Sequence, residues 1–159
     1  MRAVASVGLI SDTHGLLRPE ALAALQGSDL IIHAGDVGAP EIIDQLSALA
    51  PVVAVKGNID NGAWASRLPA TAVAEAGSTL IYVLHDLAQL DLDPAAAQFQ
   101  VVVSGHSHKP SRTEKNGVMY LNPGSAGPRR FRLPITVARL DLRSHPWSVD
   151  FVDLLDAKL

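Results

Sequence analysis

Two histidines stand one residue apart in residues 104–110, SGHSHKP, directly after the apolar run of residues 101–103. His106 and His108 are two of only six histidines in the chain. Residues two apart on an extended segment point to the same side, so both imidazoles can face one object. What that object is depends on which other side chains end nearby.

Four further apolar runs end in residues of the metal-ligand type. In chain order these residues are Asp12 and His14, Asp36, Asn58, and His85. Ligands of open α/β sheets bind outside the carboxyl ends of the strands, so we expect the groups that follow parallel strands to meet at one edge. Glycines precede Asp36, Asn58 and His106, which fits turns where the backbone passes close to a bound group.

The ligand types restrict the metal. The chain has no cysteine, so nitrogen and oxygen atoms must hold any ion. Seven candidate ligands are too many for one tetrahedral zinc ion and suit two five- or six-coordinate ions that share a carboxylate. Four imidazoles favour Mn, Fe, Co, Ni or Zn over Mg and Ca. We therefore expect two divalent cations, with Mn²⁺ as the first candidate.

Such a centre would attract phosphate. Two divalent cations against Asp12 and Asp36 leave a formal charge of +4 − 2 = +2. Ions about 3.5–4 Å apart form a clamp for in-line phosphoryl displacement and lower the pKa of a bound water. The pattern predicts hydrolysis of phosphate esters by a hydroxide that bridges the metals, with no side-chain nucleophile.

The first sixty residues predict the elements that position these groups. Apolar runs at residues 4–10, 30–32 and 52–55 alternate with helix signals that begin near Pro19 and Pro40. Short connections and right-handed crossovers make the three strands parallel neighbours. This is a βαβαβ pattern.

The second half is rich in strands. Residues 71–76 and 80–84 predict one hairpin, and Asn116-Gly117 marks a second between residues 113–115 and 118–121. Residues 101–104, 136–142 and 148–154 supply further strands. We predict an α/β fold of one domain, residues 1–159, in which two mixed β-sheets pack together with helices outside.

Composition excludes several classes of function. Hydrophobic residues make up 48% of the chain and aromatic residues only 4%, which is typical of layered α/β packing. The net charge of −3 gives no electrostatic case for nucleic-acid binding. No apolar segment has the length of a signal peptide or a membrane span, so we expect no membrane association and a cytoplasmic location.

The ordered motifs together closely resemble the calcineurin-like metallophosphoesterases. The short length and the loop at residues 122–125, NPGS, resemble compact phosphodiesterases of the YfcE type. The residues that carry the family resemblance are Asp12-x-His14, Gly35-Asp36, Gly57-Asn58, His85 and Gly105-His106-x-His108.

This resemblance implies a four-layer α-β-β-α sandwich and a phosphodiesterase that acts on a small phosphate ester. Asp36 would bridge the two ions, and Asn58 and His85 would also stabilise the charge that develops in the reaction. By the family pattern the first ion has the ligands Asp12, His14 and His108, and the second has Asn58, His85 and His106.

Two positions depart from the family pattern. Ile59 stands where many members carry a histidine that binds phosphate or protonates the leaving group, and an isoleucine can do neither. Asp86 follows His85 in place of the usual glycine and histidine. A phosphomonoesterase and a non-catalytic scaffold, such as the retromer subunit that resembles this family, remain alternatives. Homo-oligomer formation stays open.

Other polar residues receive structural interpretations. His33 lies within a buried run and His145 in a turn with proline, and neither is assigned a catalytic role. Asp60 either holds a ligand through a supporting hydrogen bond or forms a turn with Asn61-Gly62, and the sequence favours neither.

The remaining candidates lie toward the end of the chain or carry rings. Residues 122–127 predict a structural loop that supports the site from below. For Trp64 and Phe131 we favour packing in the core over stacking on an aromatic leaving group. A solvated face is preferred over a phosphate contact for the basic cluster of Arg129, Arg130 and Arg132.

Overall fold

The computed structural model describes residues 4–155. Its first part alternates strands with helices: β1 Ser6–Ile10, α1 Pro19–Leu25, β2 Leu30–His33, α2 Pro40–Ser47 and β3 Val52–Ala54. β1 pairs with β2, and β2 with β3, in parallel. Both helices begin with proline, whose fixed φ suits the first helical position and whose missing N–H is not needed there. The predicted βαβαβ pattern is confirmed.

Seven strands follow: β4 Thr71–Ala76, β5 Thr79–Leu84, β6 Val101–Val103, β7 Ser111–Lys115, β8 Val118–Asn122, β9 Thr136–Asp141 and β10 Ser148–Asp153. One five-stranded sheet has the order β10-β9-β1-β2-β3, and the other has the order β4-β5-β6-β8-β7. β9 and β10 join the first sheet antiparallel, while β5, β6 and β8 run parallel in the second. Both sheets are mixed, as predicted.

Three apolar clusters form the layers of the sandwich. The first lies between the sheets and includes Leu9, Ile32 and Val103. The second joins the first sheet to both helices through residues such as Ile31, Leu25 and Leu46. The third, on the outer face of the second sheet, includes Val102 and is covered by residues 87–99, where Leu90, Leu92 and Phe99 pack on it.

Helix α1 packs closely against β1 because position 8 is a glycine. A Cβ atom at Gly8 would lie 2.8 Å from Cδ2 of Leu25 and 2.7 Å from Oγ of Ser28. Interiors are packed at the density of organic crystals, so no side chain fits at this position. The close approach brings the end of α1 and Ser28 against the first strand.

The strand ends of both sheets meet at one edge of the sandwich. Asp12 N–H donates to the carbonyl of Gly35 at 3.0 Å, and His14 N–H donates to that of Asp36 at 2.9 Å, which ties the loop after β1 to the loop after β2. In the second sheet, Gly105 N–H donates to the carbonyl of His85 at 3.0 Å. Within residues 4–155, no helix is long and apolar enough to cross a membrane.

Candidate metal centre

Two groups of ligand atoms lie at this edge, and the ligand atoms of each group are within 4.8 Å of one another. One group contains Asp12, His14 and His108, and the other contains Asp12, Asp36 and His85. The chain therefore brings together five of the seven predicted ligands from four separate loops. Asp12 belongs to both groups.

The two carboxylates lie between the imidazoles. Asp12 Oδ1 is 3.4 Å from His108 Nε2 and 3.9 Å from His85 Nε2. Asp36 Oδ2 is 3.4 Å from His14 Nε2 and 3.3 Å from His85 Nε2. Each carboxylate therefore faces imidazoles of both groups, and the assignment of the bridging role to Asp36 stays a prediction.

Three of these buried atoms have no hydrogen-bond partner within the described part of the chain: Asp12 Oδ1, His14 Nε2 and His85 Nε2. A buried polar atom without a partner costs free energy, and folded proteins contain few of them. Here the three atoms lie together among the carboxylates and imidazoles of the two ligand groups. Divalent cations held by the two groups would satisfy these atoms, so the residues present fit the predicted metal.

Asn58 and His106 lie at the border of this centre. The His106 ring is 5.2 Å from the His85 ring, between centroids, and its side chain is 47% exposed. Asn58 is exposed and lines, together with His85, a cavity of about 220 Å³. Both residues therefore flank His85, while their assignment to a second ion stays a prediction.

The backbone at the site has an unusual conformation. L-residues other than glycine rarely adopt positive φ angles, and such positions concentrate at functional sites. Five of the predicted ligands do so: Asp12 at 57°, His14 at 48°, Asp36 at 55°, His106 at 72° and His108 at 63°. The surrounding fold must hold these turns in place, which pre-orients the side chains before any ion binds.

Two glycines make the close approach of the loops possible. A Cβ atom at Gly57 would overlap the backbone nitrogen and the carboxylate of Asp36. At Gly105 it would overlap Ser11 Oγ and lie 2.7 Å from Asp12 Oδ2. Glycine at these two positions therefore lets the backbone pass close to the predicted ligands Asp36 and Asp12.

Asp60 holds two of the ligand loops together. Its carboxylate is 95% buried and accepts hydrogen bonds from the backbone N–H groups of Val37 at 3.0 Å, Gly38 at 2.9 Å and Gly57 at 2.9 Å. Val37 and Gly38 follow Asp36, and Gly57 precedes Asn58. Of the two alternatives left open by the sequence, the structure therefore favours support of the ligands.

His33 is a structural residue, as predicted. Its Nδ1 accepts from the N–H of Gly35 at 3.1 Å, which places the proton on Nε2, 3.0 Å from Thr13 Oγ1. Thr13 in turn donates to the carbonyl of Val37 at 2.7 Å. Complete burial lowers the pKa of His33 to about 4, so the imidazole is neutral near pH 7.

Residues 122–127 support the site from below. Ser125 Oγ donates to the carbonyl of Asp12 at 3.1 Å, and Asn122 Nδ2 donates to that of Gly105 at 2.9 Å. The loop thus fixes the backbone of a ligand from the first sheet and of a ligand loop from the second. The predicted structural role is confirmed.

The ionisation of the site suits cation binding. Burial would raise the pKa of Asp36, but the neighbouring imidazole of His85 and the hydrogen bond from the Ile59 N–H lower it to about 2. Burial raises the pKa of Asp12, against the lowering effect of the hydrogen bond from Ser11. Burial also lowers the pKa of His14 and of His108, which favours the neutral imidazoles that coordinate metals.

The aromatic and basic residues that the sequence singled out differ in burial. Trp64 packs against the cluster under the helices, as predicted. The prediction of packing is wrong for Phe131, which is 91% exposed because it lies in an exposed turn with a φ of 54°. Arg129, Arg130 and Arg132 are exposed, in agreement with a solvated face.

Arg130 and His145 differ in their relation to the candidate centre. Burial lowers the pKa of His14 and of His108, and the positive charge of Arg130 adds a smaller lowering effect for each. His145 instead stacks on Trp147, with 4.7 Å between ring centroids, in the turn between β9 and β10. It has no place in the candidate centre.

Comparison with known proteins agrees with this geometry. A probable metallophosphoesterase of Methanocaldococcus jannaschii is 37% identical over an alignment of 166 positions, which covers 96% of this chain and 79% of the relative. A predicted phosphoesterase from Streptococcus pneumoniae superposes with a TM-score of 0.76 at 25% identity and covers 97% of this chain and 92% of its own.

An archaeal phosphodiesterase shares the fold, with a TM-score of 0.71 at 20% identity and coverage of 92% and 99%. The sequence profile of the calcineurin-like phosphoesterase superfamily domain matches residues 6–145, nearly the whole chain. The two ligand groups at the strand ends lie within that match. The chain belongs to the calcineurin-like phosphoesterase superfamily.

Proposed function

We propose that this protein is a phosphodiesterase that holds two divalent cations, with Mn²⁺ as the first candidate. The observation that carries the proposal is the pair of buried ligand groups that share Asp12, with unpartnered ligand atoms in both groups. The superfamily match supports a metal-dependent phosphoesterase. The fold shared with an archaeal phosphodiesterase supports diester hydrolysis.

The residues divide between two sites. Asp36 lies between the groups and would contact both cations. Asp12, His14 and His108 would hold the first, while His85, Asn58 and His106 would hold the second. When bound, a cation pair of this kind neutralises phosphate charge and activates water for in-line attack.

His85 is the best-positioned residue of the second site. Its Nδ1 is 2.7 Å from the carbonyl oxygen of Ala34, which leaves Nε2 directed at the centre. Asn58 reaches the same place from the wall of the adjoining cavity, where its amide can donate to a phosphate oxygen. Asn58 would stabilise charge on the phosphate directly as it reacts, and His85 would do so through the cation that it holds.

Ile59 restricts the substrate. Its side chain is 42% exposed beside the site, and its N–H donates to Asp36 Oδ1 at 3.1 Å. An isoleucine has no proton to give, so the leaving group must depart without help from this position. We therefore infer a preference for small phosphodiesters whose leaving groups are acidic, such as aryl esters.

The test combines metal content with hydrolysis of bis(p-nitrophenyl) phosphate. Wild-type protein reconstituted with Mn²⁺ should bind two ions and hydrolyse this diester faster than p-nitrophenyl phosphate. Asp36→Asn should lose at least about 100-fold in rate, since even partners behind a metal ligand are worth about 10–100-fold. Asp91→Asn, in the wall of the same cavity, is the matched control and should retain the wild-type rate.

Two results would contradict the proposal. Faster hydrolysis of the monoester would indicate a phosphomonoesterase. Two bound ions with no hydrolysis of either ester would favour the non-catalytic scaffold.

A further inference from the structure

The carboxylate of Asp86 lies beside the candidate centre and is fixed in direction. Its Oδ1 accepts a hydrogen bond from the N–H of Ala88 at 3.0 Å, at the start of the 3-10 helix Leu87–Gln89. Its Oδ2 is 3.9 Å from Nε2 of His106. The same carboxylate lines the cavity of about 220 Å³ that Asn58 and His85 share.

His106 is held firmly by its backbone but loosely by its ring. Its N–H donates to Asp12 Oδ2 at 3.1 Å, and its φ is 72°. Its ring stands nearly perpendicular to that of His85, at 81°, and its side chain is 47% exposed. The carboxylate of Asp86 is the acidic group that forms an ion-pair contact with this ring within residues 4–155.

The neighbouring ligand shows how the chain orients an imidazole. Nδ1 of His85 lies 2.7 Å from the carbonyl of Ala34, and Nε2 is buried without a hydrogen-bond partner in the described structure. An acceptor at one ring nitrogen fixes the proton there and leaves the other nitrogen free for a metal. His106 needs the same kind of acceptor if it is to serve as a ligand.

We propose that Asp86 is the positioning residue for His106. Asp86 Oδ2 accepts a hydrogen bond from the N–H at Nε2 of His106, so that Nδ1 is the nitrogen offered to the second cation. The exposed ring closes the remaining gap to Asp86 by rotation when that cation binds. This inference rests on the proposed function, because it concerns the second of the two cations.

A carboxylate in this position strengthens the ligand as well as orienting it. Its negative charge stabilises the polarised N–H and makes the opposite nitrogen a better donor to a metal. Removal of such a partner typically costs about 10–100-fold in metal affinity. The effect should fall on the second cation, since His14 and His108 do not contact Asp86 in the described structure.

The test is Mn²⁺ binding to the metal-free protein. Calorimetry measures the affinities, and electron paramagnetic resonance reports whether the bound ions are coupled. The wild type should bind two ions and give the signal of a coupled pair. Asp86→Ala should weaken the affinity for the second Mn²⁺ by about 10–100-fold. When one equivalent of Mn²⁺ is added for each site, this variant should give the signal of single, uncoupled ions. Asp86→Asn should recover part of the affinity, because its carbonyl oxygen can still accept from His106. Asp91→Asn, from the same cavity, should match the wild type.

A double-mutant cycle with His106→Ala separates the possible failures. If Asp86 acts through His106, Asp86→Ala should cause no further loss in the His106→Ala background. An additive loss there would make Asp86 a direct ligand and overturn the inference. So would wild-type affinity in Asp86→Ala, or an equal loss in Asp91→Asn. A wild-type protein that binds fewer than two ions would instead refute the proposed function.

Discussion

Asp60→Ala should destabilise the protein strongly, although within residues 4–155 the hydrogen bonds of its carboxylate go to backbone N–H groups and not to ligand side chains. The substitution leaves three backbone N–H groups without their acceptor. Val37 is fully buried and keeps no alternative partner, which costs about 1–3 kcal/mol. The N–H groups of Gly57 and Gly38 can reach water, so each adds about 0.5–1.5 kcal/mol. The expected loss in the free energy of unfolding is therefore about 2–6 kcal/mol.

Asp60→Asn gives a graded comparison. Oδ2 of Asp60 serves Val37 and Gly57, while Oδ1 serves Gly38. A carboxamide can place its oxygen at the first of these positions and lose only the Gly38 bond, so we expect a loss of about 1–2 kcal/mol.

The assay is urea denaturation of the metal-free protein, with Mn²⁺ affinity as a second readout. Asp44→Asn, which alters an exposed acid on α2, is the control and should change the free energy of unfolding by less than about 0.5 kcal/mol. The reasoning fails if Asp60→Ala costs no more than this control, or if Asp60→Asn is as damaging as Asp60→Ala.

Three further predictions concern pH, leaving groups and packing. His33 has a pKa of about 4 when folded and 6.5 as its ordinary value, so the unfolded chain binds more protons and stability should fall by about 3 kcal/mol as pH drops from 6.5 to 4; metal-free His33→Gln should lose this part of the slope in denaturation curves. Ile59→His should raise kcat on diesters with poor leaving groups, and unchanged kinetics in a fully metallated variant would contradict our account. Gly105→Ala should displace Asp12 and lower Mn²⁺ content, with a loss of about 1–3 kcal/mol in stability, which metal analysis and denaturation would check.

The sequence predicts much of this fold because its signals are local. Proline at the start of both helices, apolar runs of strand length and the Asn116-Gly117 turn each determine conformation within a few residues. The strand-end rule then brings together Asp12 and Asp36 without any knowledge of coordinates.

Other features depend on contacts between distant parts of the chain. From the sequence alone, Asp60 fits a turn residue as well as a residue that supports a ligand. Only its hydrogen bond with the distant Val37 N–H decides between them. Phe131 has the apolar aromatic side chain that is typical of core residues, but its turn leaves it outside the core. The sharing of Asp12 by two ligand groups follows from the spacing between two sheets, which sequence periodicity does not describe.

The positive φ angles at five candidate ligands have a consequence for the history of this fold. Each such residue costs about 1–2 kcal/mol relative to glycine, which adopts this conformation freely. A descendant released from selection for hydrolysis would gain stability by exchanging these side chains for glycine. The loops would keep their shape after these exchanges, because the turns are part of the scaffold. Only the ion-binding side chains would be lost.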